Sequence, residues 1–178
     1  MRLPALAHVI DATRSLTGCD TVTVLGSAAL LLPFPALGDP DGPLSMTRDA
    51  DLLIAPCDEL TARMVHEALG EGSLFEARNG YYVDLLRPEI TEVLPTGWQQ
   101  RQQQMANRRA LVVDPVDICC AKLLAGRPKD LAILQVLLAT AAVDRAALRE
   151  RMALCTVAER ELHAALRRLT ALRFGISA

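Results

Sequence analysis

The hydrophobic pattern of the chain changes at Asp114, and this change constrains the fold more than any other feature. Before Asp114, short runs rich in apolar and β-branched residues, at 21–25, 49–54 and 111–113, lie between stretches with helical spacing. After Asp114, every apolar repeat has helical spacing. The sequence therefore predicts an α/β (α+β) fold, in which a small mixed sheet flanked by helices in 1–114 precedes a C-terminal helical bundle packed on it in 115–178.

Local signals predict where several of these elements begin and end. A helix is expected over 3–17, ended by Gly18, and a strand over 49–54. Two strand-like runs, 74–78 and 81–86, flank Asn79-Gly80, which is a strong signal for a two-residue β-hairpin turn. Four prolines and two glycines within 33–46 predict a long surface loop.

Further expectations concern the helices. The apolar spacing predicts that a helix over 57–69 buries Leu60, Met64 and Ala68 on one face. Asp114 with Pro115 predicts the start of another helix, which ends at Gly126. A last helix is expected to begin with a capping box formed by Thr156 and Glu159, and to carry a buried stripe of Ala158, Leu162, Ala165, Leu169 and Leu172.

Composition excludes several classes of protein. Apolar residues make up 51% of the 178-residue chain, which excludes a disordered protein, and aromatic residues make up 3%, which supplies a base-stacking platform poorly. The five cysteines are odd in number and show no C-x-x-C spacing, so we interpret them as reduced thiols. No apolar stretch is long enough to span a membrane, and the protein is expected to be cytoplasmic.

Charge is distributed unevenly between the two halves. Residues 1–89 carry 6 basic and 13 acidic side chains, whereas residues 90–178 carry 13 basic and 8 acidic ones. An acidic half can concentrate divalent cations, and a basic half can hold phosphates. Arginines of the last helix, among them Arg160, Arg167 and Arg168, are compatible with a solvated face or with a nucleic-acid stripe. The three histidines are far apart, so zinc is not expected.

Three aspartates in strand-like runs carry the strongest chemical signal. Asp49 and Asp51 are two residues apart, so both side chains leave the same face of a strand, and Asp84 lies between apolar residues in another strand. Carboxylates that face each other repel unless a cation lies between them, and Mg²⁺ (or Mn²⁺) with oxygen ligands would relieve this. Alternatively, Asp84 is an exposed residue on the solvent side of a hairpin.

A glycine-serine turn is a candidate phosphate-binding element that would complement the three carboxylates. Gly26 and Ser27 directly follow the strand over 21–25 and precede an apolar run. Glycine allows the backbone to turn and to approach a ligand closely, so this turn can lie against a phosphate. A Gly-Ser turn is common, so its meaning depends on the three carboxylates.

Together these residues resemble the nucleotidyltransferase superfamily, which has the DNA polymerase β-like fold. The chain is most similar to the AbiEii-like and related uncharacterised bacterial branches. The similarity spans roughly residues 22–138 and rests on segments in a characteristic order: Leu25-Gly26-Ser27, Thr47-Arg48-Asp49-Ala50-Asp51-Leu52, Val83-Asp84-Leu85-Leu86, Gly97-Trp98-Gln99-Gln100-Arg101, Asp114-Pro115-Val116-Asp117, and the run from Lys122 to Leu131.

The resemblance implies an activity and a set of site residues. Asp49, Asp51 and Asp84 would be the catalytic, metal-binding carboxylates. The residues that bind the nucleotide phosphates would be Gly26, Ser27, Lys122, Arg127, Lys129 and Asp130. The enzyme would move a nucleoside monophosphate from an NTP onto a hydroxyl of RNA, protein or a small molecule, with Mg²⁺ as cofactor. Family analogy also implies a toxin–antitoxin context with a cognate partner protein.

The sequence departs from the family pattern in ways that keep a second function open. The interval from Gly26 to Asp49 is 23 residues, which is long, and Leu44 and Ser45 occupy the region where an arginine is usual. Ile133 stands where a second aspartate is common. The alternative is therefore a non-catalytic binding or regulatory module that retains the nucleotidyltransferase fold.

Overall fold

A computed structural model describes residues 1–105 and 110–172 of the chain. It contains a five-stranded mixed sheet flanked by helices, followed by C-terminal helices, which confirms the predicted fold class. The chain divides into two compact units. We call Met1–Pro88 with Gln102–Val113 the sheet unit, and Glu89–Arg101 with the chain from Asp114 onward the helical unit.

The sheet unit contains four helices and all strands of the sheet. Its helices are α1 (Leu3–Thr17), α2 (Gly26–Ala29), α3 (Glu59–Leu69) and α4 (Leu74–Asn79). Its strands are β1 (Val22–Val24), β2 (Asp49–Ile54), β3 (Tyr82–Leu85), β4 (Gln103–Gln104) and β5 (Ala110–Val112).

The strand order is β3-β2-β1-β5-β4, so β3 forms one edge of the sheet. β1 pairs antiparallel with β2 and parallel with β5, whereas β2 and β3 are parallel. Along β2, buried residues alternate with half-buried ones, because Ala50, Leu52 and Ile54 enter the core and the residues between them do not. This alternation places Asp49 and Asp51 on the less buried face.

The helical unit contains α5 (Pro115–Ala125), α6 (Pro128–Ala139), α7 (Arg145–Met152) and α8 (Glu159–Ala171), together with the short 3₁₀ turn Trp98–Arg101. Its core includes Ile118, Leu123, Leu134, Leu148 and Leu169. Asp114 caps α5 by accepting hydrogen bonds from the Val116 and Asp117 amides, and Gly126 ends the helix with a positive φ of 62°. These bounds confirm the prediction for α5.

The predicted β-hairpin over 74–86 is wrong, although its second strand is present as β3, which pairs in parallel with β2. Residues Leu74–Asn79 form α4, which Ser73 caps by accepting the Glu76 amide at 3.2 Å. Gly80 adopts a φ of 77° as the C-terminal cap of this helix. Asn79-Gly80 thus ends a helix, because the same left-handed conformation serves a helix cap as well as a hairpin turn.

Two predictions about helix faces and starts are also corrected. Leu60, Met64 and Ala68 of α3 are exposed, and the helix buries Val65 and Leu69 instead. The last helix begins at Glu159 with Ala158 at its N-cap, so Thr156 forms no capping box. Thr156 lies two residues before the N-cap, and the amide of the residue ahead of it, Cys155, donates to the Met152 carbonyl. In α8, Ala165 and Leu169 are buried as expected, whereas Ala158 is exposed.

The segment 33–46 is more ordered than a surface loop. It contains the 3₁₀ turn Pro35–Gly38, and Leu37 and Leu44 are buried. The Leu44 amide donates to the Leu37 carbonyl at 2.9 Å, and the amino group of Met1 donates to the carbonyls of Leu44 and Thr47. The segment is therefore held by hydrogen bonds and contributes apolar side chains to the core of the sheet unit.

All five cysteines lie in the described part of the chain and are thiols. Cys119 and Cys120 are buried in α5, and burial raises the pKa of Cys119 to about 12. The Cys119 thiol is therefore neutral at physiological pH and packs as a small apolar side chain. No helix within 1–105 or 110–172 is long and apolar enough to cross a membrane.

Candidate functional site

The three predicted metal ligands lie on one face of two neighbouring strands. β2 and β3 pair in parallel with Asp51 directly opposite Asp84 and Asp49 opposite Tyr82. Because residues paired across a ladder point to the same side, Asp49, Asp51 and Asp84 share a face of the sheet. Asp49 and Asp51 are half-buried, and Asp84 is exposed at the edge. The structure thus places these three residues on one face of neighbouring strands.

The turn after β1 contacts this face directly. The Leu25 amide donates to the Asp51 carbonyl at 2.9 Å, which carries the β1–β2 pairing up to the turn. Gly26 follows with a φ of 56°, and a Cβ at this position would overlap Oδ2 of Asp51 and lie 2.6 Å from its Cγ. Only glycine therefore allows the backbone of the turn to lie against the Asp51 carboxylate. Ser27, the next residue, is half-buried.

The carboxylates create a negative field along the β2–β3 edge. Burial raises the pKa of the Tyr82 phenol, and the charges of Asp49, Glu71, Asp84 and Glu76 raise it further. Two carboxylates that lie directly opposite each other in a ladder, as those of Asp51 and Asp84 do, repel each other. A cation at this face would therefore be attracted by several charges at once.

An ion pair that the sequence analysis missed supports the start of both strands. Arg48 donates to Glu76 at 2.5 Å and to the Gly80 carbonyl at 3.2 Å, while its own carbonyl accepts the Tyr82 amide at 3.0 Å. The Glu76 carboxylate also accepts the Gly72 amide at 2.6 Å. Arg48 and Glu76 thus hold the ends of α4 and β3 against the start of β2. The Ser-x-x-Glu spacing of Ser73 and Glu76 is a helix-start signal that would have indicated α4.

The phosphate-binding residues predicted in the second half of the chain lie in the helical unit. The resemblance predicts that Lys122 binds a phosphate, which requires its ammonium to be accessible. It is instead buried, and Nζ donates to Oδ1 of Asp130 at 2.7 Å. Asp130 is fully buried, and its Oδ2 also accepts a hydrogen bond from Nε of Arg127 at 2.5 Å. Lys129 is exposed at the start of α6.

A second set of buried charges joins the other family-like segments of this unit. Asp117 is fully buried and accepts two hydrogen bonds from Arg101 and one from Arg151, over 2.5–3.1 Å. Arg101 also donates to the carbonyls of Pro95 and Thr96 at 3.1 Å. The segment that contains Trp98, which is itself buried, is therefore tied to α5. Asp117, Lys122 and Asp130, which belong to the segments that carry the resemblance, form internal contacts of the helical unit.

The described residues contain no preformed metal-binding cluster. Within the described ranges, 1–105 and 110–172, no group of three His, Cys, Asp or Glu side chains is arranged to hold a metal ion. A scan of protein-family models finds no match to the chain, and searches of curated proteins and of solved structures find none either. The function is therefore inferred from the residues of the candidate site.

Proposed function

We propose that the protein is a Mg²⁺-dependent nucleotidyltransferase that moves a nucleoside monophosphate from an NTP onto a hydroxyl of RNA, protein or a small molecule. The observation that carries this proposal is the pairing of Asp51 with Asp84, with Asp49 on the same face and Gly26 against the Asp51 carboxylate. A cytoplasmic location and a toxin–antitoxin partner stay predictions.

The donor set suits Mg²⁺ bound together with a nucleotide. Mg²⁺ in phosphoryl-transfer sites is held by one or two carboxylates, while waters and substrate phosphates supply the other oxygens. Asp49, Asp51 and Asp84 offer carboxylate oxygens of the right chemistry on one face, so the nucleotide phosphates would complete the coordination. Bound there, Mg²⁺ would neutralise the phosphates and polarise the α-phosphate.

The chain's own residues would then position the reactants. The turn at Gly26 and Ser27 would lie along the β- and γ-phosphates. The acceptor hydroxyl oxygen would attack the α-phosphorus in line, forming one P–O bond as the bond to the bridging oxygen breaks and pyrophosphate leaves. Asp84, the most exposed of the three carboxylates, would orient the hydroxyl and accept its proton.

One observation favours the alternative, a non-catalytic nucleotide-binding or regulatory module. The Lys122 ammonium, which the resemblance assigns to phosphate binding, is held by the buried carboxylate of Asp130. A phosphate would have to share this ammonium with Asp130, which weakens the case for Lys122 as a direct ligand. The alternative keeps the carboxylate face and predicts nucleotide binding without transfer.

The test combines binding and transfer. Wild type and Asp84→Asn are titrated with each of the four NTPs in Mg²⁺ and in EDTA, and then incubated with α-labelled NTPs and total cell RNA and protein. Asp84 is exposed at an edge strand, so its replacement by the isosteric Asn preserves the fold. We expect Mg²⁺-dependent binding and label transfer by wild type and loss of both in Asp84→Asn.

Asp39→Asn is the matched control, because Asp39 is an exposed aspartate outside the sheet. It should behave as wild type. Binding of a nucleotide without transfer to any acceptor favours the non-catalytic module. Equal Mg²⁺-dependent binding by wild type and Asp84→Asn, or no NTP binding by wild type, refutes the assignment of the site.

A further inference from the structure

The arginines of the helical unit fall into two groups. Arg101 and Arg151 bind the buried Asp117, and Arg168 donates to the carbonyls of Leu123 and Leu124 at the end of α5. Arg145 donates to carbonyls at the end of α8. These four guanidiniums hold the helices together. Arg168 therefore does not belong to a solvated face or to a nucleic-acid stripe.

Arg149 and Arg167 form the other group, and they do not hold helices together. Both are exposed, and neither has a hydrogen bond or ion pair with any residue in 1–105 or 110–172. They line the same cleft between α7 and α8, which has a volume of about 450 Å³. Two cationic side chains from adjacent helices that line one cleft would attract an anionic ligand. The other residues that line the cleft are His163, Leu166, Thr170 and Ala171.

The chemistry of the cleft suggests the form of that anion. Leu166 and Ala171 provide an apolar floor, and the cleft volume lies within the range of small-molecule pockets, about 300–1,000 Å³. Two guanidiniums match the charge of nearly −2 that a phosphate monoester carries at neutral pH. A guanidinium can also bind two phosphate oxygens at once.

We propose that this cleft binds a small phosphate monoester whose organic part is apolar. Arg149 and Arg167 would bind the phosphate, and Leu166 would contact the organic part. His163 also lines the cleft and lies 3.8 Å from Glu159 of the same helix, and the proposal does not require it as a ligand. The proposal is independent of the carboxylate face of the sheet unit.

The probe is phenyl phosphate, titrated into the full-length protein by calorimetry and followed by ³¹P NMR. Arg149→Gln and Arg167→Gln should each weaken binding roughly tenfold or more, because each removes a charge-assisted interaction with the phosphate. Arg160→Gln is the matched control, since Arg160 is an exposed arginine of α8 that does not line the cleft. Its affinity should equal that of wild type within a factor of about two.

Two further comparisons identify what the cleft recognises. Inorganic phosphate should bind more weakly than phenyl phosphate, because it makes no contact with Leu166. Asp84→Asn should bind phenyl phosphate as wild type does, so a failure of this proposal is separate from a failure of the nucleotidyltransferase proposal. Absence of binding at millimolar phenyl phosphate, or equal weakening by all three arginine variants, refutes the proposal. If inorganic phosphate binds as tightly as phenyl phosphate, the proposal that the ligand has an apolar organic part is refuted.

Discussion

Asp130→Asn tests whether the ion pair in the helical unit stabilises the fold. The change keeps the shape of the side chain but removes the charge that Lys122 and Arg127 share. The Lys122 side chain is only 5% exposed, so its ammonium would remain buried after losing the carboxylate that lies 2.7 Å away. Breaking a buried ion pair by removing one partner costs about 3–5 kcal/mol. Arg127 is 60% exposed and can be solvated, so Lys122 accounts for most of this cost.

The assay is urea denaturation followed by far-ultraviolet circular dichroism, with a thermal melt in parallel. For a chain of this size, the expected loss corresponds to a melting temperature lower by about 10 °C. Lys129→Gln is the matched control because Lys129 is an exposed lysine next to Asp130, and its effect should stay within about 0.5 kcal/mol. The double variant Lys122→Met with Asp130→Leu should recover most of the loss, because it buries no charge.

The reasoning is refuted if Asp130→Asn lowers the free energy of unfolding by less than about 1 kcal/mol, since removing the carboxylate that a buried ammonium binds should cost more than this. It is also refuted if the double variant is no more stable than Asp130→Asn. Either result would mean that Lys122 is solvated or that it reaches another anion.

The remaining predictions concern pH, two helices and the glycine turn. Burial raises the pKa of Asp130, but hydrogen bonds from Arg127 and Lys122 lower it overall. The ionised Asp130 should therefore stabilise the fold above about pH 4, and this contribution should be lost as the pH falls further. Acid titration of wild type against Asp130→Asn measures this loss. Ser73→Ala should cost about 1 kcal/mol in urea denaturation as a lost helix cap, and no change would argue against α4. Leu60→Ala should change the free energy of unfolding by less than about 0.5 kcal/mol, whereas Leu69→Ala should lower it by about 2–5 kcal/mol, and the reverse order would mean that α3 is rotated. Gly26→Ala should cost at least about 1 kcal/mol, because alanine is strained at this positive φ, and a variant as stable as wild type would contradict the turn geometry.

Elements with strong local signals were predicted with their bounds. The helix Leu3–Thr17 and the strand Asp49–Ile54 begin and end where the sequence analysis expects. So does α5, with Asp114 before it and Gly126 after it. Caps and periodic apolar residues act within a few positions of the chain, so they can be recognised without the rest of the fold.

α4 was missed because its apolar pattern is weak and the signal at its end is ambiguous, although Ser73 and Glu76 have the spacing of a capping box. A helix of six residues is too short to show a period, and the left-handed glycine at Gly80 is common to helix caps and hairpins. The buried face of α3 was assigned wrongly for a different reason. Leu60 and Met64 have the same four-residue spacing as Val65 and Leu69, so the pattern fits either stripe. The neighbouring elements, not the helix itself, determine which stripe is buried.

The candidate site, too, was predictable from the sequence only in part. The sequence by itself determined that Asp49 and Asp51 share a strand face, because side chains alternate along every strand. Only the tertiary structure decided that Asp84 lies opposite Asp51 and that Lys122 is bound by Asp130. Strand register and helix packing depend on contacts between segments far apart in the chain, and these contacts follow from burying the whole core at once.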